Sequence, residues 1–166
     1  MKRSVILILT LAVALAATGC GYSMKPLHRT DVRTVAVSIF ASKEFRRELE
    51  FELTRQLVKY IELRTPYKVV HDPKRADTQL RGEVLHLYAP VLTEDTDTDV
   101  PSDIEVTLTC WFEWKDLRTG EVLRRRDRIT GSATYAEAVN ETLDSATFEA
   151  SARLAERIVE AMEKDW

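Results

Sequence analysis

Four arginines crowd the segment Arg124 to Arg128, as Arg124, Arg125, Arg126 and Arg128, with Asp127 among them. A guanidinium is a planar fork that holds phosphate or carboxylate through two parallel hydrogen bonds, so the chemistry offered is anion recognition. Strand alternation would put Arg124, Arg126 and Arg128 on one face. A turn that sets Leu117 opposite Val122 would bring Arg126 across from Glu113 and Arg128 across from Trp111, pairing opposite charges and stacking a guanidinium on an indole. Arg124, Arg126, Arg128 and Trp111 are therefore the candidate face for an anionic ligand or a partner. The competing reading is a solvated strand face neutralised by Glu105, Glu113 and Asp127.

Other chemistry is sparse. His28, His71 and His86 are far apart in the chain, and none stands at ligand spacing with a cysteine or a second histidine. Asp95, Asp97 and Asp99 resemble the start of a calcium loop, but the sharp-turn glycine is missing and Val106 occupies the position of the closing glutamate. No nucleophile-elbow, phosphate-loop or H-E-x-x-H pattern occurs. The expectation is a protein with no catalytic residues, no metal and no cofactor.

Cys20 carries a different kind of chemistry. Lys2 and Arg3 precede an uncharged apolar run from Val5 to Ala17, the layout of a secretory signal. That run is shorter than the roughly 20 residues that span a bilayer. Ala17-Thr18-Gly19-Cys20 resembles a lipobox, which predicts cleavage after residue 19 and acylation of Cys20, enough lipid for stable anchoring. Gly21 stands where an aspartate would retain the protein at the inner membrane. An outer-membrane lipoprotein facing the periplasm is expected. Losing Lys2 and Arg3 leaves 22 of 24 basic side chains against 27 acidic ones, a net charge of about −5 that disfavours nucleic acid. Cys110 is then the only remaining thiol, so no internal disulfide can form.

The rest of the chain must position these groups. Residues 20–31 read as a tether, and residues 32–166 as one domain. Val35, Val37 and Ile39 alternate with polar or small residues as a first strand. Ser42 is placed to cap a helix whose apolar stripe is Phe45, Leu49, Leu53, Leu57, Tyr60 and Ile61, ending before Pro66; Phe51 and Val58 fall off the stripe. Tyr67 to Val70 is a short strand. From Thr78 a long strand changes its inward parity, with Gly82 near the changeover and a bend expected there. Thr93 to Asp103 reads as an acidic loop. Ile104, Val106, Leu108, Cys110, Phe112 and Trp114 mark one face of the clearest strand, which turns back through Asp116 to Glu121 with Gly120 at positive φ. Cys110 is then an inert buried thiol. A closing helix is expected from Tyr135 or Ala136, with Val139, Leu143, Ala150, Leu154, Ile158 and Ala161 inward and Phe148, Ala155, Val159 and Met162 widening that sector. The whole is an α/β (α+β) two-layer sandwich, β-α-β-β-β-β-α, a mixed or antiparallel sheet with both helices packed on one face.

The order of elements, with the C-G-Y start at Cys20, the strand A-D-T-Q-L-R-G-E-V at residues 76–84 and the hairpin turn D-L-R-T-G-E at residues 116–121, resembles the LptE family of lipopolysaccharide-assembly lipoproteins. The resemblance implies a plug-like partner of the LptD β-barrel of the outer membrane and a part in delivering lipopolysaccharide, whose lipid A phosphates would be ligands for the arginines. The alternative is an outer-membrane lipoprotein that activates a peptidoglycan synthase. The length of the 104–134 hairpin favours the first.

Overall fold

The computed structural model describes residues 27–43, 47–94, 101–136 and 141–163. The strands are β1 (Thr34–Val37), β2 (Ala41–Ser42), β3 (Lys68–Val70), β4 (Thr78–Tyr88), β5 (Val91–Glu94), β6 (Pro101–Asp116) and β7 (Val122–Tyr135); the helices are α1 (Arg47–Arg64) and α2 (Leu143–Ala161). The seven strands form one mixed sheet. β1 lies between β3 and β4 and is parallel to both; β4 runs antiparallel to β6, and β6 to β7. β2 extends the β1 side along β4, and β5 pairs with the start of β6. The α+β sandwich expected from the sequence is the observed fold, with β2 and β5 as additional short strands.

The inward face of β6 is the one its alternation predicts. Ile104, Val106, Leu108, Cys110, Phe112 and Trp114 are all buried, and they face Leu49, Leu53, Leu57 and Ile61 of α1 and Ala150, Leu154, Ile158 and Val159 of α2 in one core. Both helices return antiparallel to the strand that precedes them, so they run side by side in the same direction. At their C-terminal ends Arg64 bridges Glu156 and, at 3.8 Å, Glu160. Burial lifts the Cys110 thiol to about 12, which keeps it protonated and unreactive.

Several boundaries differ from expectation. Ile39 is 58% exposed because β1 ends at Val37, and Phe40 takes the interior position. Its ring lies where a Cβ on Gly82 would come within 2.3 Å of it, so that glycine is required for close packing rather than for a bend. The change of parity in β4 comes three residues later, where the pairing with β6 skips Leu85 between Val84 and His86. Ser42 sits in β2, and its N–H donates to Glu50 Oε1 at 2.8 Å, tying the strand to the first described turn of α1. Phe45 and Val139 lie outside the described residues, as do Asp95, Asp97 and Asp99, while Thr93–Glu94 and Pro101–Asp103 of the expected acidic loop belong to β5 and β6. β7 runs on to Tyr135, since Ala133 and Tyr135 are still inward, and α2 starts only after Thr142, whose side chain exchanges hydrogen bonds with Ser145 in a capping box. Phe148 does not widen the inward sector; it is 47% exposed.

Leu27 to Asp31, read from the sequence as tether, lies against the domain. The Arg29 N–H donates to the Tyr67 hydroxyl at 2.8 Å, and the His28 ring meets Tyr67 edge-on. Asp77 fixes the start of β1, accepting from the N–H groups of Arg33 and Thr34 and from the Thr34 hydroxyl; the Arg33 N–H is the leading cause that lowers its carboxyl below the usual range.

The β6–β7 turn is held by Asp116. Its carboxylate accepts from the Arg118 guanidinium at 2.9 Å and from the Arg118 and Thr119 N–H groups, and Gly120 closes the turn at φ +79°. The Arg118 side chain, foremost, holds Asp116 at about 2. A carboxyl depressed below its unfolded value of about 3.9 stabilises the fold fully above that value, and the contribution is lost as pH falls through the folded one. With Arg118 half-exposed, on the order of 1–2 kcal/mol is at stake. Asp116→Asn should therefore lower the melting temperature at neutral pH and flatten the acid limb of a stability–pH curve between about pH 4 and 2. Parallel curves for the two proteins would reject this role.

Candidate functional site

The arginine segment lies on β7, at the free side of the β6–β7 hairpin. Beyond the arginines, from Cys110↔Ile129 to Ile104↔Tyr135, the strands keep the register expected from the sequence. Nearer the turn they do not. Val122 pairs with Lys115, the register shifts before Trp114↔Arg124, and it shifts again between Phe112↔Arg126 and Cys110↔Ile129, where two β7 residues, Asp127 and Arg128, stand against Trp111. The bulges slide the arginines by one position. Glu113 therefore faces Arg125, and Arg126 faces Phe112.

Each arginine consequently has its own role. Arg124 reaches the end of α2, donating through Nε to the Ala161 carbonyl at 2.8 Å and through Nη2 to the Glu163 carbonyl at 3.0 Å, which satisfies acceptors left open by the last helical turn. Arg125 takes both roles expected of its neighbours. It contacts Glu113 at 3.5 Å and Asp127 at 3.0 Å, and its guanidinium lies 5.9 Å from the Trp111 ring centre. On the helix-free face of the sheet Glu113 is buried and also pairs with Arg81 at 2.7 Å, while the Trp111 Nε1–H donates to Glu83 at 3.1 Å. Arg126 and Arg128 are exposed; Arg126, opposite Phe112, keeps the parity of Arg124, opposite Trp114, and the bulge at Asp127–Arg128 takes Arg128 out of that alternation. The structure does not gather the four candidate residues into a single constellation.

Two features were not anticipated. Arg153 and Arg157 of α2 reach the edge of β7, donating to the Ser132 carbonyl at 2.8 Å and the Thr130 carbonyl at 2.9 Å. Their four-residue spacing on a helix followed the apolar pattern and gave no sign of a target. A cavity of about 550 Å³ also opens beside Arg124, between Arg29 and Asp31 of the N-terminal segment, Trp114, Leu123 and Met162. Two of its charged groups are already partnered, Arg29 with Asp31 at 3.2 Å and Arg124 with the helix carbonyls, whereas the buried Trp114 Nε1–H has no acceptor among the described residues.

An open sheet backed by two helices, with a polar outer face and a basic edge strand, defines a small α+β domain whose distinctive features are its surfaces. The family model for lipopolysaccharide-assembly proteins, LptE, matches residues 32–162, and the chain belongs to that family. Among solved structures, it is similar to uncharacterized lipoprotein B from Nitrosomonas europaea (11% identity, 84% of this chain and 88% of that one, TM-score 0.55). It is also similar to protein XCC0632 from Xanthomonas campestris (12% identity, 82% and 84%, TM-score 0.53) and to the PelC dodecamer from Paraburkholderia phytofirmans (15% identity, 82% and 93%, TM-score 0.50). At these identities the likeness is one of fold. No curated protein matches the chain by sequence.

Proposed function

We propose that this protein is an outer-membrane lipoprotein, anchored on the periplasmic side through acylated Cys20 after removal of residues 1–19, that partners an LptD-type β-barrel in lipopolysaccharide assembly. Membership of the LptE family over residues 32–162 is the observation that carries the reading. It acts by contact and does no chemistry. Residues 20–31 would join lipid to domain, with the contacts of Arg29 fixing where that connection meets the sheet. Arg126 and Arg128, exposed on β7, would meet an anionic group of the assembly, while Arg124 and Trp111 hold the surrounding structure.

Affinity isolation of the native protein from outer membranes should recover a large β-barrel and lipopolysaccharide. Recovery of a peptidoglycan synthase in place of the barrel would overturn the assembly role. Anchoring is tested separately: Cys20→Ala should abolish incorporation of labelled palmitate and release the protein from the detergent phase. Normal labelling in that variant would reject acylation at Cys20.

A further inference from the structure

We propose that the outer edge of β7 is a docking site for an extended acidic segment of a partner polypeptide, which adds to the sheet as one more strand. The proposal rests on the assembly-partner reading above and specifies the chemistry of one contact.

Among the described residues β7 pairs with β6 alone, so no described strand covers its other side. Thr130 and Ser132, two residues apart, point their carbonyls to that side, and these are the acceptors taken by Arg157 and Arg153. A neighbouring strand would donate its N–H groups at those same positions. The two guanidinia therefore occupy the place of an added strand in part only. In a strand the N–H and C=O of a residue point the same way, and a guanidinium, which has no acceptor, can do nothing for the N–H groups of Thr130 and Ser132. A polypeptide strand would satisfy both.

Charge selects which polypeptide. Arg126 and Arg128 are exposed farther along the same strand, and Arg153 and Arg157 stand at its edge; Asp127 and Glu149 offset them locally by pairing with Arg125 and Arg153. A second copy of β7 would bring arginine against arginine, which is unfavourable across strands, whereas an acidic strand would meet four guanidinia. Phosphate headgroups could also meet them but would leave the Thr130 and Ser132 N–H groups open to water.

Amide hydrogen exchange of the mature lipidated protein in detergent tests this, with an eight-residue peptide alternating glutamate and valine as the probe. Exchange at Thr130 and Ser132 should slow at least tenfold at saturation, and the matching lysine–valine peptide should leave it unchanged. Arg126→Glu with Arg128→Glu, in a protein whose melting temperature matches the parent, should abolish the preference for the acidic peptide. Unprotected amides at millimolar acidic peptide would overturn the proposal, as would protection by phosphatidylglycerol vesicles and not by the peptide. If a barrel co-isolates while both amides stay open, the docking edge alone falls. If the peptide protects them and no barrel is recovered, the edge stands and the assembly reading falls.

Discussion

Phe112→Ala is expected to remove about 3–5 kcal/mol of stability, because it deletes an aromatic ring from the centre of a closed core and leaves a void that the surrounding sheet and helices cannot fill. Phe112 has no exposed surface, and its neighbours in register are Gly82 on β4 and Arg126 on β7. A domain of this size is stable by only about 5–15 kcal/mol, so the variant should sit close to its unfolding threshold at 37 °C. Thr109 projects from the other face of the same strand and is half-buried; Thr109→Ser should change stability by less than about 0.5 kcal/mol. Urea unfolding of both variants checks the contrast, with midpoints shifting and slopes preserved. Equal shifts would mean that the two faces of β6 are wrongly assigned.

That face was legible in the sequence because six apolar side chains alternate without interruption, and one face buried against two helices leaves no freedom to slip. The arginines were harder to place for a related reason. A bulge adds one residue to one strand and leaves no mark in composition, so counting from the turn carries each uncounted insertion forward to every later pair. Two insertions, at Leu123 and at Asp127–Arg128, restore the expected register from Ile129 onwards yet displace the arginines that lie between them. Thus the electrostatic idea, a guanidinium between a buried glutamate and an indole, survives with Arg125 in place of Arg126 and Arg128. The role of Arg124 could not be read locally, since its acceptors on Ala161 and Glu163 are 37 and 39 residues away and come near only when α2 packs on β7. The extension of β7 to Tyr135 did have a signal, because Ile129, Gly131, Ala133 and Tyr135 continue the alternation; a small residue at two of those positions weakened it.

At one of those small residues a single added methyl group has a large expected effect. A Cβ on Gly131 would lie 2.4 Å from the Leu154 nitrogen, 2.6 Å from the Ala150 carbonyl oxygen and 2.6 Å from the Leu154 Cβ. Two of those three atoms are helix backbone, which cannot rotate away as a side-chain tip can. Gly131→Ala must therefore push α2 off β7 by a large fraction of an ångström, against the buried contacts of Leu154 and Ile158 and the edge bonds of Arg153 and Arg157. Overpacking of this kind costs about 1–3 kcal/mol and more where backbone is the obstacle, so about 3 kcal/mol is expected. Gly120 is the proper comparison, because there the constraint is conformational and not steric. Its φ is +79° and nothing stands within 4 Å of the place a Cβ would take. Gly120→Ala should cost only about 1 kcal/mol, the strain of a left-handed L-residue. The two variants also differ in what moves. Gly131→Ala should raise amide exchange in α2 around Ala150 to Leu154, whereas Gly120→Ala should perturb only the turn. Thermal unfolding with amide exchange on both separates the outcomes, and a Gly131→Ala protein as stable as Gly120→Ala would show that α2 does not approach β7 as closely as described.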